Sequence, residues 1–89
     1  MNSSMIRKLS VGNRPMETYV FLFNNYVNQG ARKVVLYGRG ENISRAIDLY
    51  NLISHRLEGL VRLCRVNIGT EVLEGRHASY IELELEVLR

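Results

Sequence analysis

Three things are scarce in this chain, and each scarcity removes a class of function. It has a single cysteine, Cys64, so an internal disulfide and a cysteine-based metal site are both excluded. The setting L-V-R-L-C-R-V marks that thiol as a reduced strand residue in apolar surroundings. No apolar run approaches the ~20 residues of a membrane span, and M-N-S-S-M-I-R-K-L-S lacks the apolar core of a signal peptide. A cytoplasmic protein without a membrane partner is the expectation. Asp48 is the only aspartate and falls inside a helical pattern, where exposure or an ion pair with Arg45 is its expected role. His55 sits late in the same helix and His77 at a turn, so no nucleophile, base or ligand set comes together. Neither an enzyme nor a bound cofactor or metal is expected.

What the chain does have is one domain's worth of residues and an uneven charge. Eighty-nine residues, 46% of them hydrophobic and 24% charged, make a single globular domain over 1–89, small enough to gain from a partner subunit. The net charge is +3. Residues 1–65 hold ten Lys/Arg against four Asp/Glu, whereas residues 66–89 hold two against five. Part of the surface is therefore far more basic than the total, which points to a polyanionic partner.

The organising stretch is V-V-L-Y-G-R-G-E-N-I-S-R-A-I-D, Val34 to Asp48. A short apolar strand ends in a glycine-bracketed arginine, and a helix begins with Asn42 as its expected N-cap. Helix N-termini present unpaired N–H groups and the positive end of the dipole, so Arg39, Gly40, Asn42, Ser44 and Arg45 converge on an anion-binding junction. The expected third glycine of a dinucleotide fingerprint is Ile43, and no Lys-Ser/Thr pair completes a P-loop, which argues against a nucleotide cofactor. The competing reading is that Gly38 and Gly40 only permit a tight turn with φ > 0.

Before this stretch, Met5 to Val11 reads as a strand and G-N-R-P stops it. Pro15 then starts a helix over 15–29, with Met16, Tyr19, Val20, Phe23 and Val27 at helical spacing and Gly30 as the stop. The second helix runs from Asn42 to Gly59 with an apolar stripe widened by Leu49 and Leu52, so Leu49, Leu52, Ile53 and Leu57 are candidates for a subunit interface. From Leu60 the chain alternates, with Leu63, Arg65 and Asn67 on one side and Cys64, Val66 and Ile68 on the other. In the last strand Ile81, Leu83, Leu85 and Val87 face inward and Glu82, Glu84 and Glu86 outward. Gly75 turns the hairpin between them. The expected fold is α+β, a two-layer βαβαββ with a four-stranded mixed sheet, two helices on one face and a C-terminal β-hairpin arm. The carboxylate row reads as a solvated face rather than a metal site, and the tyrosines as core or interface residues, with Tyr37 the one candidate for stacking on a base.

V-G-N-R-P-M-E-T-Y-V, N-Q-G-A-R-K-V-V-L-Y-G-R-G-E-N-I-S-R-A-I-D and I-G-T-E-V through S-Y-I-E-L-E-L carry a resemblance across nearly the whole chain. It resembles the Alba family of small archaeal chromatin and RNA-binding proteins. That resemblance implies a dimer that binds double-stranded DNA and RNA without sequence preference and without catalysis. Asn13 and Arg14 stand where typical members carry two lysines, so the acetylation switch of the first lysine is missing. Glu41 replaces a frequent basic residue, Leu57 stands at the place of a phenylalanine that joins neighbouring dimers, and the arm is shorter and less basic than usual. The chain looks similar to divergent paralogues that pair with a standard member as heterodimers.

Read physically, Arg14, Arg39 and Arg45 meet at one end of the sheet, because both helices follow parallel strands. They would hold phosphates there while Arg76 and His77 reach a minor groove. An architectural DNA- or RNA-binding protein is the leading expectation. An interaction subunit with weak nucleic-acid affinity is the alternative.

Overall fold

The computed structural model of the chain describes residues 5–88. Six elements follow in order: β1 (Ile6–Ser10), α1 (Met16–Asn28), β2 (Lys33–Arg39), α2 (Asn42–Arg56), β3 (Val61–Leu73) and β4 (Arg76–Val87). The sheet order is β1-β2-β4-β3, with β1 parallel to β2 and the other two pairings antiparallel. This is the expected α+β, βαβαββ architecture.

The core lies between the sheet and the helices. Leu9, Val34, Leu36, Leu83 and Leu85 from the sheet meet Tyr19, Val20 and Phe23 of α1 and Ala46, Leu49 and Ile53 of α2. Phe23, Leu36, Leu49, Ile53 and Leu85 are fully buried, and each such side chain contributes about 1.5–3 kcal/mol relative to exposure. Leu49 and Ile53 are thereby removed from the interface expected of them. Their apolar spacing reflects packing on their own sheet, and only Leu52 and Leu57 of that group keep accessible surface.

β2 is longer than the apolar run Val34 to Tyr37 because it pairs on both sides, which draws Lys33 opposite Glu86 and Arg39 opposite Tyr80. A short unbroken apolar run such as Val34 to Tyr37 suits a strand buried on both faces. Instead burial alternates, since the helices cover only one face and Val35 and Tyr37 stay half-buried on the other. On that open face the carboxylates of β4 are answered across the strands. Glu84 pairs with Lys33 at 3.0 Å, Glu86 with Arg62, and Glu82 accepts from the Asn67 amide at 3.1 Å.

The alternation of β3 breaks at Cys64. Leu63 lies opposite Leu85 and Arg65 opposite Glu84, so a bulge at Cys64 inverts the register that strict alternation predicts. Leu63, Val66 and Ile68 share the helix side, with Arg65 and Asn67 on the open side. Cys64 itself is exposed, its thiol against Glu84, rather than in apolar surroundings. Beyond Arg39, β2 ends, and the β3–β4 ladder continues alone to Leu73 and Arg76 as a two-stranded arm. Its tip is the pair Glu74–Gly75, both at positive φ (52° and 77°), a two-residue turn whose twist suits a hairpin.

Candidate nucleic-acid interface

The two loops that follow the parallel strands β1 and β2 form the edge where the site was expected. In the second of these, the two glycines do different work. Gly40 has φ 59° and makes the turn. Gly38 has no positive φ; a Cβ there would lie 2.3 Å from the Asn42 carbonyl oxygen and 2.9 Å from the Ala46 Cβ, so its bare backbone is what lets α2 dock against β2.

The helix N-terminus is less open to an anion than the sequence suggests. Glu41 occupies the N-cap position, no side chain caps the helix, and Asn42 is the first helical residue rather than the cap. The Gly40 N–H donates to the Ser79 carbonyl at 2.8 Å, and the Ile43 N–H to the Gly40 carbonyl at 3.1 Å. One first-turn donor is thus used internally and a carboxylate stands at the helix start, which weakens this helix end as an anion site. Ser44 is exposed on the first turn, and Asn42 is half-buried.

Arg39 is exposed at the end of β2, opposite Tyr80 and beside the root of the arm. It lies 3.6 Å from Glu71, and the same carboxylate accepts a 2.8 Å hydrogen bond from the Tyr37 hydroxyl. Burial, then the Glu71 carboxylate, raise the Tyr37 phenol above its ordinary value, so it stays protonated and keeps donating. Its ring faces Tyr80 at a centroid distance of 5.9 Å and carries the Lys8 ammonium 4.2 Å above it. Tyr37 is thus occupied within the sheet, although half-exposed. Arg39 and Arg76 line one shallow depression with Leu73, Glu74 and Ala78, which joins the loop to the arm. His77 is exposed on the arm, opposite Val72.

On the first loop, Asn13 and Arg14 are exposed. Their backbone is held by two side chains the sequence did not connect with them. The Tyr19 hydroxyl accepts from the Gly12 N–H at 2.8 Å and the Arg14 N–H at 3.2 Å. Arg45, expected on the phosphate surface, turns onto the loop instead, donating from Nε to the Gly12 carbonyl at 2.7 Å and from Nη2 to the Arg14 carbonyl. Its guanidinium finds backbone dipoles there because β1 and β2 run parallel and end side by side, Ser10 opposite Tyr37, so the loop after β1 lies near the start of α2. Asp48 is exposed on the same helix.

Sequence reasoning missed Glu71 and Tyr19 as members of this site. Glu71 gave no signal, since only the strand register brings it to Arg39; Tyr19 read simply as a core residue. Among the described residues no group of three or more His, Cys, Asp or Glu side chains is placed to hold a metal ion. No helix among them is long and apolar enough to cross a membrane.

Comparison with known proteins gives a consistent picture. The chain is 37% identical over 86 residues to DNA/RNA-binding protein Alba 2 of Saccharolobus solfataricus, covering 97% of this chain and 92% of that one. It is 36% identical over 73 residues to DNA/RNA-binding protein Alba of Methanocella arvoryzae, covering 82% and 76% respectively. Its fold matches that of Alba from Thermoplasma volcanium with a TM-score of 0.81 at 28% identity, over 89% of this chain and 98% of that one. The Alba family profile matches residues 8–70, and the chain belongs to the Alba family.

Proposed function

We propose that this chain is an architectural protein that binds duplex DNA and structured RNA as a dimer, without reading sequence. Its family is nucleic-acid-binding and non-enzymatic. The observation that carries the reading is that Arg39 and Arg76 line one depression at the root of the arm, while Arg14 stands exposed on the loop after the neighbouring parallel strand. Such a surface follows a phosphate backbone and offers few groups that discriminate base edges.

A dimer is supported by the helix side of β3. Val66 and Ile68 pair with the buried Leu83 and Ile81, so they face the helix layer, yet no helix covers them and they are 53% and 72% exposed. With Val72, Leu60, Leu52 and Leu57 they form an apolar surface that a second copy, or a paralogue, would bury. Association with the nucleoid follows from the same reading.

The second reading, an interaction subunit that pairs with a paralogue and binds nucleic acid weakly, is favoured by the Glu71–Arg39 contact and by Glu41 at the helix start. Titration of the purified protein with mixed-sequence duplex DNA and with a structured RNA at two salt concentrations tests the choice. Affinity that falls steeply with salt and ignores sequence supports the architectural role. No measurable binding to either at low salt rejects it.

A further inference from the structure

We propose that Arg45 is a positioning residue, which holds the loop Gly12 to Arg14 in its binding shape rather than contacting phosphate itself. This rests on the reading of Arg14 as a phosphate ligand. The loop is irregular backbone on the surface, and such a segment is ordinarily the most mobile part of a fold. Here both residues that flank Asn13 have their polar backbone groups taken by side chains. The Tyr19 hydroxyl, from α1, accepts both N–H groups, and the Arg45 guanidinium, from α2, binds both carbonyls. Bonds from a charged donor are the stronger kind, and a planar fork fixes the angle as well as the distance. The Asn13 and Arg14 side chains stay exposed while their backbone is held.

The arrangement also couples the two loops. Arg45 lies in the first turn of α2, and that turn is pressed against Gly38, one residue before Arg39. One helix turn therefore sets where Arg14 stands relative to Arg39. A ladder of phosphates at fixed spacing rewards such registration, because ordering a long arginine side chain and its loop upon binding would cost affinity.

A double-mutant cycle tests the assignment, with the full chain and a mixed-sequence duplex DNA as probe. Arg14→Ala should weaken binding. Arg45→Gln should weaken it about fivefold in the parent but less than about twofold in the Arg14→Ala background, since a positioning residue has nothing left to position. Arg45→Lys should behave like Arg45→Gln, because lysine keeps the charge and loses the fork. Tyr19→Phe, which removes only the hydroxyl on the other side of the loop, should show the same dependence on Arg14 and serves if the Arg45 variants do not fold. Equal loss from Arg45→Gln in both backgrounds, with full retention by Arg45→Lys, would show a direct charge contact and overturn the positioning role alone. If Arg14→Ala binds like the parent, the reading of Arg14 falls and the inference with it.

Discussion

The α-carbon of Gly38 faces the Asn42 carbonyl so closely that a methyl group on it would stand 2.3 Å from that oxygen. The contact is with main chain, which cannot swing aside as a side chain would. Gly38→Ala should therefore lift the first turn of α2 off the sheet and destabilise the fold by about 1–3 kcal/mol or more. Gly40→Ala meets nothing within 4 Å and suffers only from its φ of 59°, for about 1–2 kcal/mol. Chemical denaturation of both variants checks the order. A Gly40 variant less stable than the Gly38 variant would contradict it.

The phosphate reading converts into a slope. With Arg45 committed to the loop and Arg76 on the arm assigned to a groove, Arg14 and Arg39 of a dimer provide four phosphate contacts, and log K against log salt should fall with a slope of about −4 on duplex DNA. Arg39→Ala should make that slope shallower by about 2 on any sequence. Filter binding or fluorescence anisotropy across a salt series reads it directly.

Glu71 lies 3.6 Å from Arg39 in a partly exposed site, so on the proposed reading it competes with phosphate for that guanidinium. An exposed pair of this kind contributes only about 0–1 kcal/mol, so Glu71→Gln should tighten duplex binding by no more than about fivefold. Glu41→Lys should tighten it further, since it removes a repelling carboxylate at the helix start and adds a cation. Unchanged affinity in both variants would move the contact surface away from this loop and favour the interaction-subunit reading.

Ile68 is 72% exposed on the apolar face of β3, so Ile68→Asp should cost the protomer's own core little. It should nevertheless abolish dimerisation, because a carboxylate would be stranded in an apolar interface. Sedimentation at micromolar concentration should give a dimer for the parent and a monomer for the variant. A monomeric parent would remove the dimer from the proposal.

The Lys33–Glu84 pair sets a pH dependence. The Lys33 ammonium holds the Glu84 carboxyl below the ordinary carboxylate value, mainly through their hydrogen bond. A carboxyl lowered in the folded state adds stability that is complete above its unfolded value and fades as pH falls through the folded one. Glu84→Gln should thus be less stable than the parent at neutral pH and lose that disadvantage in the acid range. The same substitution should speed alkylation of Cys64, whose thiol is pushed up first by lost hydration and then by the Glu84 carboxylate. Parallel pH-dependent melts and alkylation rates test both.

The sequence alone determined the order of elements and the burial of β4, because periods of 3.6 and 2 are local consequences of backbone geometry that Val20, Phe23, Leu83 and Leu85 display directly. It also located the arginine loop, since Gly38, Arg39 and Gly40 sit at a strand-to-helix junction whatever surrounds them. Tertiary structure decided the rest. Nothing local tells that Leu49 and Ile53 are spent on their own sheet, while Val66 and Ile68 of an edge strand are left bare; coverage depends on which strands the helices reach. The bulge at Cys64 reversed half of β3 because register is fixed by the partner strand rather than by the alternating sequence. Arg45 and Glu71 changed meaning for the same reason. A charged side chain is read from sequence as facing solvent, but its partner is whatever the fold brings within hydrogen-bond or ion-pair reach, here two loop carbonyls and an arginine from another strand.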